Sequence, residues 1–142
     1  MPTSTRFAVA THILTALAVT DGKPARSEDI ANSVNTGAVV IRGLLSRLAE
    51  AGLTRSQLGS GGGALLAKAP EEIRLLDVYR AVEDTELFAV HRQPPCAECL
   101  VGGNILAAIN PALTRAQAAM EAELARTTIA EVAARVKAAA QV

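Results

Sequence analysis

The chain is almost without aromatic residues: no tryptophan, one tyrosine and two phenylalanines in 142 residues. Half of its residues are nevertheless hydrophobic. The interior is therefore left to Ala, Leu, Val and Ile, which favours closely packed helices. No apolar run approaches the roughly 18 residues that a membrane span needs. The start, MPTSTRF, lacks the charged and apolar regions of a secretory signal. The expectation is a cytoplasmic protein with no membrane partner. Two cysteines, Cys96 and Cys99, are too few for a disulfide scaffold, and in that compartment they are expected as thiols. Paired carboxylates and a Ser–His–Asp set are also lacking. The glycines of residues 59–63 are followed by no Lys-Ser/Thr pair and no helix start, so they do not form a nucleotide loop. An enzyme is not expected.

A surplus of charge of one sign is lacking as well, with 14 basic against 14 acidic residues. The distribution is uneven. Residues 1–69 carry seven Lys/Arg against four acids, an excess of three cations that the remainder of the chain balances. One end is suited to a polyanion and the other faces away from it.

Residues 35–68 organise the rest. From Val40 the apolar positions Ile41, Leu44, Leu45 and Leu48 follow the spacing of a helix with one buried face, and Arg42 and Arg47 lie off that stripe. Gly52 stands where a left-handed helix terminator belongs. Residues 53–56 and 64–68 then read as the arms of a hairpin, with Gly59, Gly61, Gly62 and Gly63 at its tip. Upstream, residues 5–20 form a helix with Phe7, Ala10, Ile13, Leu14 and Leu17 on one face, stopped by Asp21-Gly22-Lys23-Pro24. Ser27 is expected to cap a short second helix, with Glu28 and Asp29 in its first turn. Asn35-Thr36-Gly37 turns into the third. Two short helices, a tight turn and a β-wing form the pattern by which winged helix-turn-helix proteins hold double-stranded DNA.

Beyond the wing, Pro70-Glu71-Glu72 is expected to open a helix carrying Ile73, Leu76, Val78, Tyr79 and Val82. A loop follows to Cys96-Ala97-Glu98-Cys99 and Gly102-Gly103. A long helix starts at Ile105, or at Pro111 as a first-turn proline, with a narrow stripe of Leu113, Ala116, Met120 and Leu124. Thr128-Ile129-Ala130-Glu131 matches a capping box for a last helix. A long striped helix beyond a complete small domain is best buried against a second copy, so a homodimer is expected. The fold class is mostly α with a small β-wing. Residues 1–82 make the winged helix-turn-helix domain, 83–104 a cysteine-containing sensor loop, and 105–142 a helical dimerisation region.

The runs RFAVATHIL, VVIRGLLSRLAEAGLTRS with GSGGGALLAK, PEEIRLLDVYRAVE, CLVGGNI and LARTTIAEV occur here in the order and spacing of a known family. From Arg6 to about Val136 the chain resembles the Rrf2 family of bacterial winged-helix transcription regulators. The resemblance implies a dimer whose third helix enters the major groove while the wing touches the minor groove or backbone. The long C-terminal helix crosses to the partner. Thr36, Val39 and Arg42 fall at base-reading positions, Arg42 being suited to guanine and Val39 to a thymine methyl. Arg6 matches a backbone-contacting region, and Arg47, Arg55, Gln57, Ser60 and Gly61 complete the expected DNA-binding set. The wing departs from the family pattern, with Leu58 at a position often Arg and Ala64 at one usually aromatic. Cluster-binding members carry three cysteines in the loop, whereas this chain has two, closer together. Cys96 and Cys99 thus stand as a thiol switch, as part of an iron–sulfur or zinc site needing further ligands, or as spectators. The rival from another class is a winged-helix protein-interaction or effector-binding module with weak DNA binding.

Overall fold

The computed structural model describes residues 4–83 and 86–141. Three helices come first: α1 (Arg6–Val19), α2 (Ser27–Val34) and α3 (Ala38–Glu50). A two-stranded antiparallel wing, β1 (Thr54–Gln57) and β2 (Gly63–Leu66), pairs Thr54 with Leu66 and Gln57 with Gly63. A 3-10 turn (Pro70–Glu72) and α4 (Leu75–Val82) complete this part, and α5 (Ile105–Leu124) and α6 (Ile129–Ala140) end the chain. The architecture is mostly helical with a small β-wing, as the periodicity implies.

α1 lies at the centre. Ala10, Ile13 and Leu14 are fully buried and Leu17 nearly so, because α2, α3, α4, α6 and β2 all pack around this helix. Ile41, Leu48, Leu53, Ile73, Val78, Val82 and Ile129 fill the rest of the core. Phe7 stands edge-on to Tyr79, with 6.1 Å between ring centres.

Several local expectations are corrected. The second helix takes Ser27 as its first residue after Arg26, and no side chain caps it. The wing strands start one residue later and earlier than expected, at Thr54 and Gly63, as the register that pairs Gln57 with Gly63 sets. Ala64 exchanges two further backbone hydrogen bonds with Ala25 on its other side. The helix expected from Pro70 is broken. Ile73 and Arg74 are extended, and their backbone pairs with residues 127–129: the Leu75 N–H donates to the Thr127 carbonyl (2.9 Å) and the Ile129 N–H to the Ile73 carbonyl (2.8 Å). α4 restarts under a new cap, Asp77, whose carboxylate accepts the Arg74 N–H at 2.9 Å and its guanidinium at 2.9 Å. Two backbone bonds to a distant segment outweigh the local preference to continue a helix. The long helix starts at Ile105, with Pro111 inside it.

The C-terminal elements divide. α6 is capped by the Thr128 hydroxyl, which accepts the Glu131 N–H (3.2 Å), and it buries Ile129 and Ala133 against the winged domain. α5 buries no residue: Leu113, Ala116, Met120 and Leu124 are only half-covered. No helix among the described residues is long and apolar enough to cross a membrane.

Burial pushes the Asp77 carboxyl up, but the hydrogen bonds and charge of Arg74, aided by Lys68, outweigh it and hold the group below its ordinary value of 3.8. A depressed carboxyl stabilises the fold above the unfolded value and loses that contribution as pH falls through the folded one. Asp77→Ala is therefore expected to lower the melting temperature by about 3 °C at neutral pH, the scale of a lost helix cap. The gap to the wild type should close below pH 4. Thermal melts by circular dichroism from pH 7 to pH 3 check this, and a gap that widens in acid excludes the assignment.

Candidate nucleic-acid interface

The helix-turn-helix is set by one left-handed residue. Asn35 has φ 68°, and its N–H and that of Thr36 both return to the Ala31 carbonyl, at 2.8 and 3.0 Å. The chain thereby turns within Asn35-Thr36-Gly37 and starts α3 at Ala38. Gly37 precedes α3 without a side-chain cap, so the first-turn N–H groups of α3 suit an outside acceptor such as phosphate.

With Ile41, Leu44 and Leu48 buried, the opposite face of α3 presents Val39, Val40, Arg42, Gly43 and Ser46. Val39 is 75% exposed. Arg42 reaches Glu28 of α2 at 3.8 Å, and both side chains remain more than half exposed. A groove runs from this face to the wing, lined by Arg42, Ser46, Arg55 and Gln57. The wing tip carries Leu58, Gly59, Ser60 and Gly61 in the open, with Leu58 90% exposed. Gly59 and Gly61 have positive φ, and a Cβ on Gly62 would strike the Gln57 carbonyl. The glycine run is thus a geometric requirement of the tight tip. Thr36 is half-buried at the turn.

Thr36, Val39, Arg42, Arg55, Gln57, Ser60 and Gly61 are thus gathered around α3 and the wing. Arg6 and Arg47 lie at the other edge of that face, beside Val40 and Gly43, and are engaged by the protein. The Arg6 Nε and an Arg47 terminal nitrogen both donate to the Val82 carbonyl, at 2.9 and 3.0 Å. Sequence reasoning missed this acceptor because a backbone carbonyl has no sequence signature. It also missed Glu28 as the partner of Arg42, reading that residue only as a dipole-friendly acid.

Cys96 and Cys99 are joined in a disulfide, with Cα atoms 5.5 Å apart. The expectation of thiols is thus replaced by a bonded pair, which a turn brings together: the Cys99 N–H donates to the Cys96 carbonyl (3.4 Å). Gly102 and Gly103 pack where a Cβ would strike the carbonyls of Cys96 and Ala97. The Gly103 N–H donates to the Cys99 carbonyl (2.8 Å) and the Ile105 N–H to the Val101 carbonyl (2.8 Å), which carries the loop directly into α5. Leu100 and Val101 stand exposed beside it. No group of three or more His, Cys, Asp or Glu converges among the described residues. His91 is exposed in the loop, and His12 meets the Ser33 hydroxyl at 2.8 Å. One chain therefore offers two sulfurs, bonded to each other, where a cluster or tetrahedral zinc asks for four ligands. The donor set of a single chain does not fit such a group.

A family model described as "Rrf2: Iron-dependent Transcriptional regulator" matches residues 3–135. YwnA of Bacillus subtilis (strain 168), provisionally named an HTH-type transcriptional regulator, is 45% identical over 130 residues, 91% of this chain and 95% of that protein. A crystal structure of a provisionally described DNA-binding protein matches with a TM-score of 0.72 and 39% identity, over 89% of this chain and 97% of the other. The structure of CymR (YrzC), the global cysteine regulator of B. subtilis, matches with a TM-score of 0.70 and 25% identity, over 95% and 98%.

The Arg42–Glu28 pair is exposed and weak, and it holds the arginine back from any anion presented to α3. Glu28→Gln is expected to raise affinity for duplex DNA about two- to fivefold. Fluorescence anisotropy with a labelled duplex reads this directly; weaker binding would mean that Glu28 orients Arg42 productively.

Proposed function

Because the chain belongs to the Rrf2 family of DNA-binding transcriptional regulators, we propose that it acts as a homodimeric repressor on promoter DNA, controlled through the Cys96–Cys99 loop. The observation that carries the reading is the outward face of α3 beside the glycine-tipped wing, with Arg42 and Arg55 lining the groove between them. α3 lies in the major groove. Arg42 donates to a guanine edge, Val39 packs on a thymine methyl, and Thr36 sits at the turn. Arg55, Gln57 and the Ser60-Gly61 tip lie along the backbone, where contacts set affinity and register and carry no base information.

A second copy is the natural cover for α5. A twenty-residue helix with an apolar stripe and no buried residue is rarely stable alone. Two-fold pairing also places two recognition helices on successive turns of the duplex.

The loop supplies the control. Oxidation of the Cys96 and Cys99 thiols by hydrogen peroxide forms one S–S bond, the peroxide O–O bond breaks, and the two thiol hydrogens leave with its two oxygens as two waters. The oxidised loop is locked against Gly102 and Gly103, at the foot of α5. The reduced loop is free of that lock, so the dimer helix starts from a different geometry in the two states. An iron–sulfur or zinc form would require ligands beyond those of one chain.

The test is an anisotropy titration of reduced and of oxidised protein against its own upstream DNA, at two salt concentrations, with scrambled DNA as control. Tight, salt-sensitive binding that favours the native duplex and differs between the redox states is expected. Equal and feeble binding to both duplexes would instead favour a winged-helix interaction module. Arg42→Ala should cost about tenfold on the native duplex and relax the preference at one base position. Cys96→Ser should abolish the difference between oxidant-treated and reduced protein. A response that persists in that variant places the sensor elsewhere.

A further inference from the structure

We infer that Arg6 and Arg47 are positioning residues, which fasten α1 and the recognition helix to the C-terminal end of α4, and are not contacts to DNA phosphate. The inference rests on the regulator reading and concerns how its reading head is aimed. Both guanidinium groups converge on a single acceptor, the Val82 carbonyl, from α1 and from α3. Val82 is the last residue of α4 and is fully buried. Its carbonyl belongs to the last turn, where intrahelical donors run out and the helix carries partial negative charge. An oxygen with two lone pairs accepts both donors. Arg6 lies in addition 3.6 Å from the Glu83 carboxylate, which is itself held by the Ser4 hydroxyl at 2.7 Å.

The contrast with Arg42 decides the matter. Arg42 can leave an exposed glutamate at 3.8 Å with little loss. Arg47 spends a terminal N–H on a buried helix end, a bond that fixes where its guanidinium sits. Arg47 lies on the edge of the α3 face beside Val40, Gly43 and Arg6, while Arg42 lies on the edge toward the wing. α4 is also tied to α5, through Arg80 and Glu121 at 3.2 Å. The joint at Val82 therefore stands between the recognition helix and the segment leading to the cysteine loop and α5. A shift of that segment reaches α3 through the Arg47 hydrogen bond and α1 through that of Arg6.

The experiment compares Arg47→Met, Arg6→Met and Arg42→Met with the wild type, all as full chains, in two measurements. The first is DNA binding to native and scrambled duplex across a salt series. The second is hydrogen exchange, without DNA, at the Glu83 amide, which donates to the Tyr79 carbonyl at the same helix end (2.9 Å). For Arg47→Met we expect faster exchange at Glu83 and about tenfold loss of the native-over-scrambled preference. The slope of log affinity against log salt should stay at the wild-type value. Loss of a phosphate contact from both subunits would instead lower that slope by about 1.8, at roughly 0.9 per phosphate, and weaken both duplexes alike. That result overturns the inference, as does a variant unchanged in both preference and exchange. If Arg47→Met does not fold, Arg6→Met removes the second donor to the same oxygen and carries the same expectations. A wild type that binds neither duplex overturns the regulator reading, and with it the aiming role. Exchange at Glu83 then still decides whether the two arginines hold the helix end.

Discussion

The winged domain depends on the burial of one broad face of α1. Ile13 and Leu14 are inaccessible, Leu17 almost so, and even Thr15 is buried, its hydroxyl satisfied by the Thr11 carbonyl one turn back. That face carries Ala10, Ile13, Leu14 and Leu17, whereas Ala8, His12 and Val19 on the other side stay exposed. With so few aromatics, the core is filled mainly by branched and small aliphatic side chains, with Phe7 packed at its edge. The positions of α3 and of the wing follow, since each packs one face onto that assembly and turns the other outward.

Much of this was legible in the residues themselves, wherever a local rule and the tertiary structure agreed. The Ile41–Leu44–Leu48 spacing, the Gly52 stop, the Asn35 turn and the Thr128 cap each rest on interactions within about a turn of chain, so sequence reports them. The discrepancies share a different physics. The break at Ile73 comes from backbone pairing with residues more than fifty positions away. The engagement of Arg6 and Arg47 depends on a carbonyl, which every residue type possesses. The Arg42–Glu28 proximity needs the angle between α2 and α3. In each case the deciding partner is distant in the chain or carries no side-chain identity.

The candidate interface therefore divides into two kinds of cation. Arg42 and Arg55 lie on the groove, loosely held or oriented toward it, and keep their capacity to exchange a protein partner for a nucleic-acid one. Arg6 and Arg47 donate to the end of α4, which is itself seated on α1 and α3. A chain of zero net charge can thus concentrate positive potential on one face, while the acids gather on the portion that leads to α5 and α6. The excess of only three cations in residues 1–69 matters less than which of them are held by the fold.

The pairing of Ile73 and Leu75 with Thr127 and Ile129 has a topological consequence. It brings the chain back to the domain it left at Val82, so the cysteine loop and α5 form a closed handle, and α6 is clasped into the core independently of them. Both feet of the handle are anchored by backbone hydrogen bonds or by buried carbonyls, and neither anchor depends on the handle's length. Reach and core are therefore separate variables. A turn added to or removed from α5 moves its far end by about 5.4 Å while the hydrophobic interior stays as it is. The architecture gives evolution a dial for spacing that can be turned without refolding the domain.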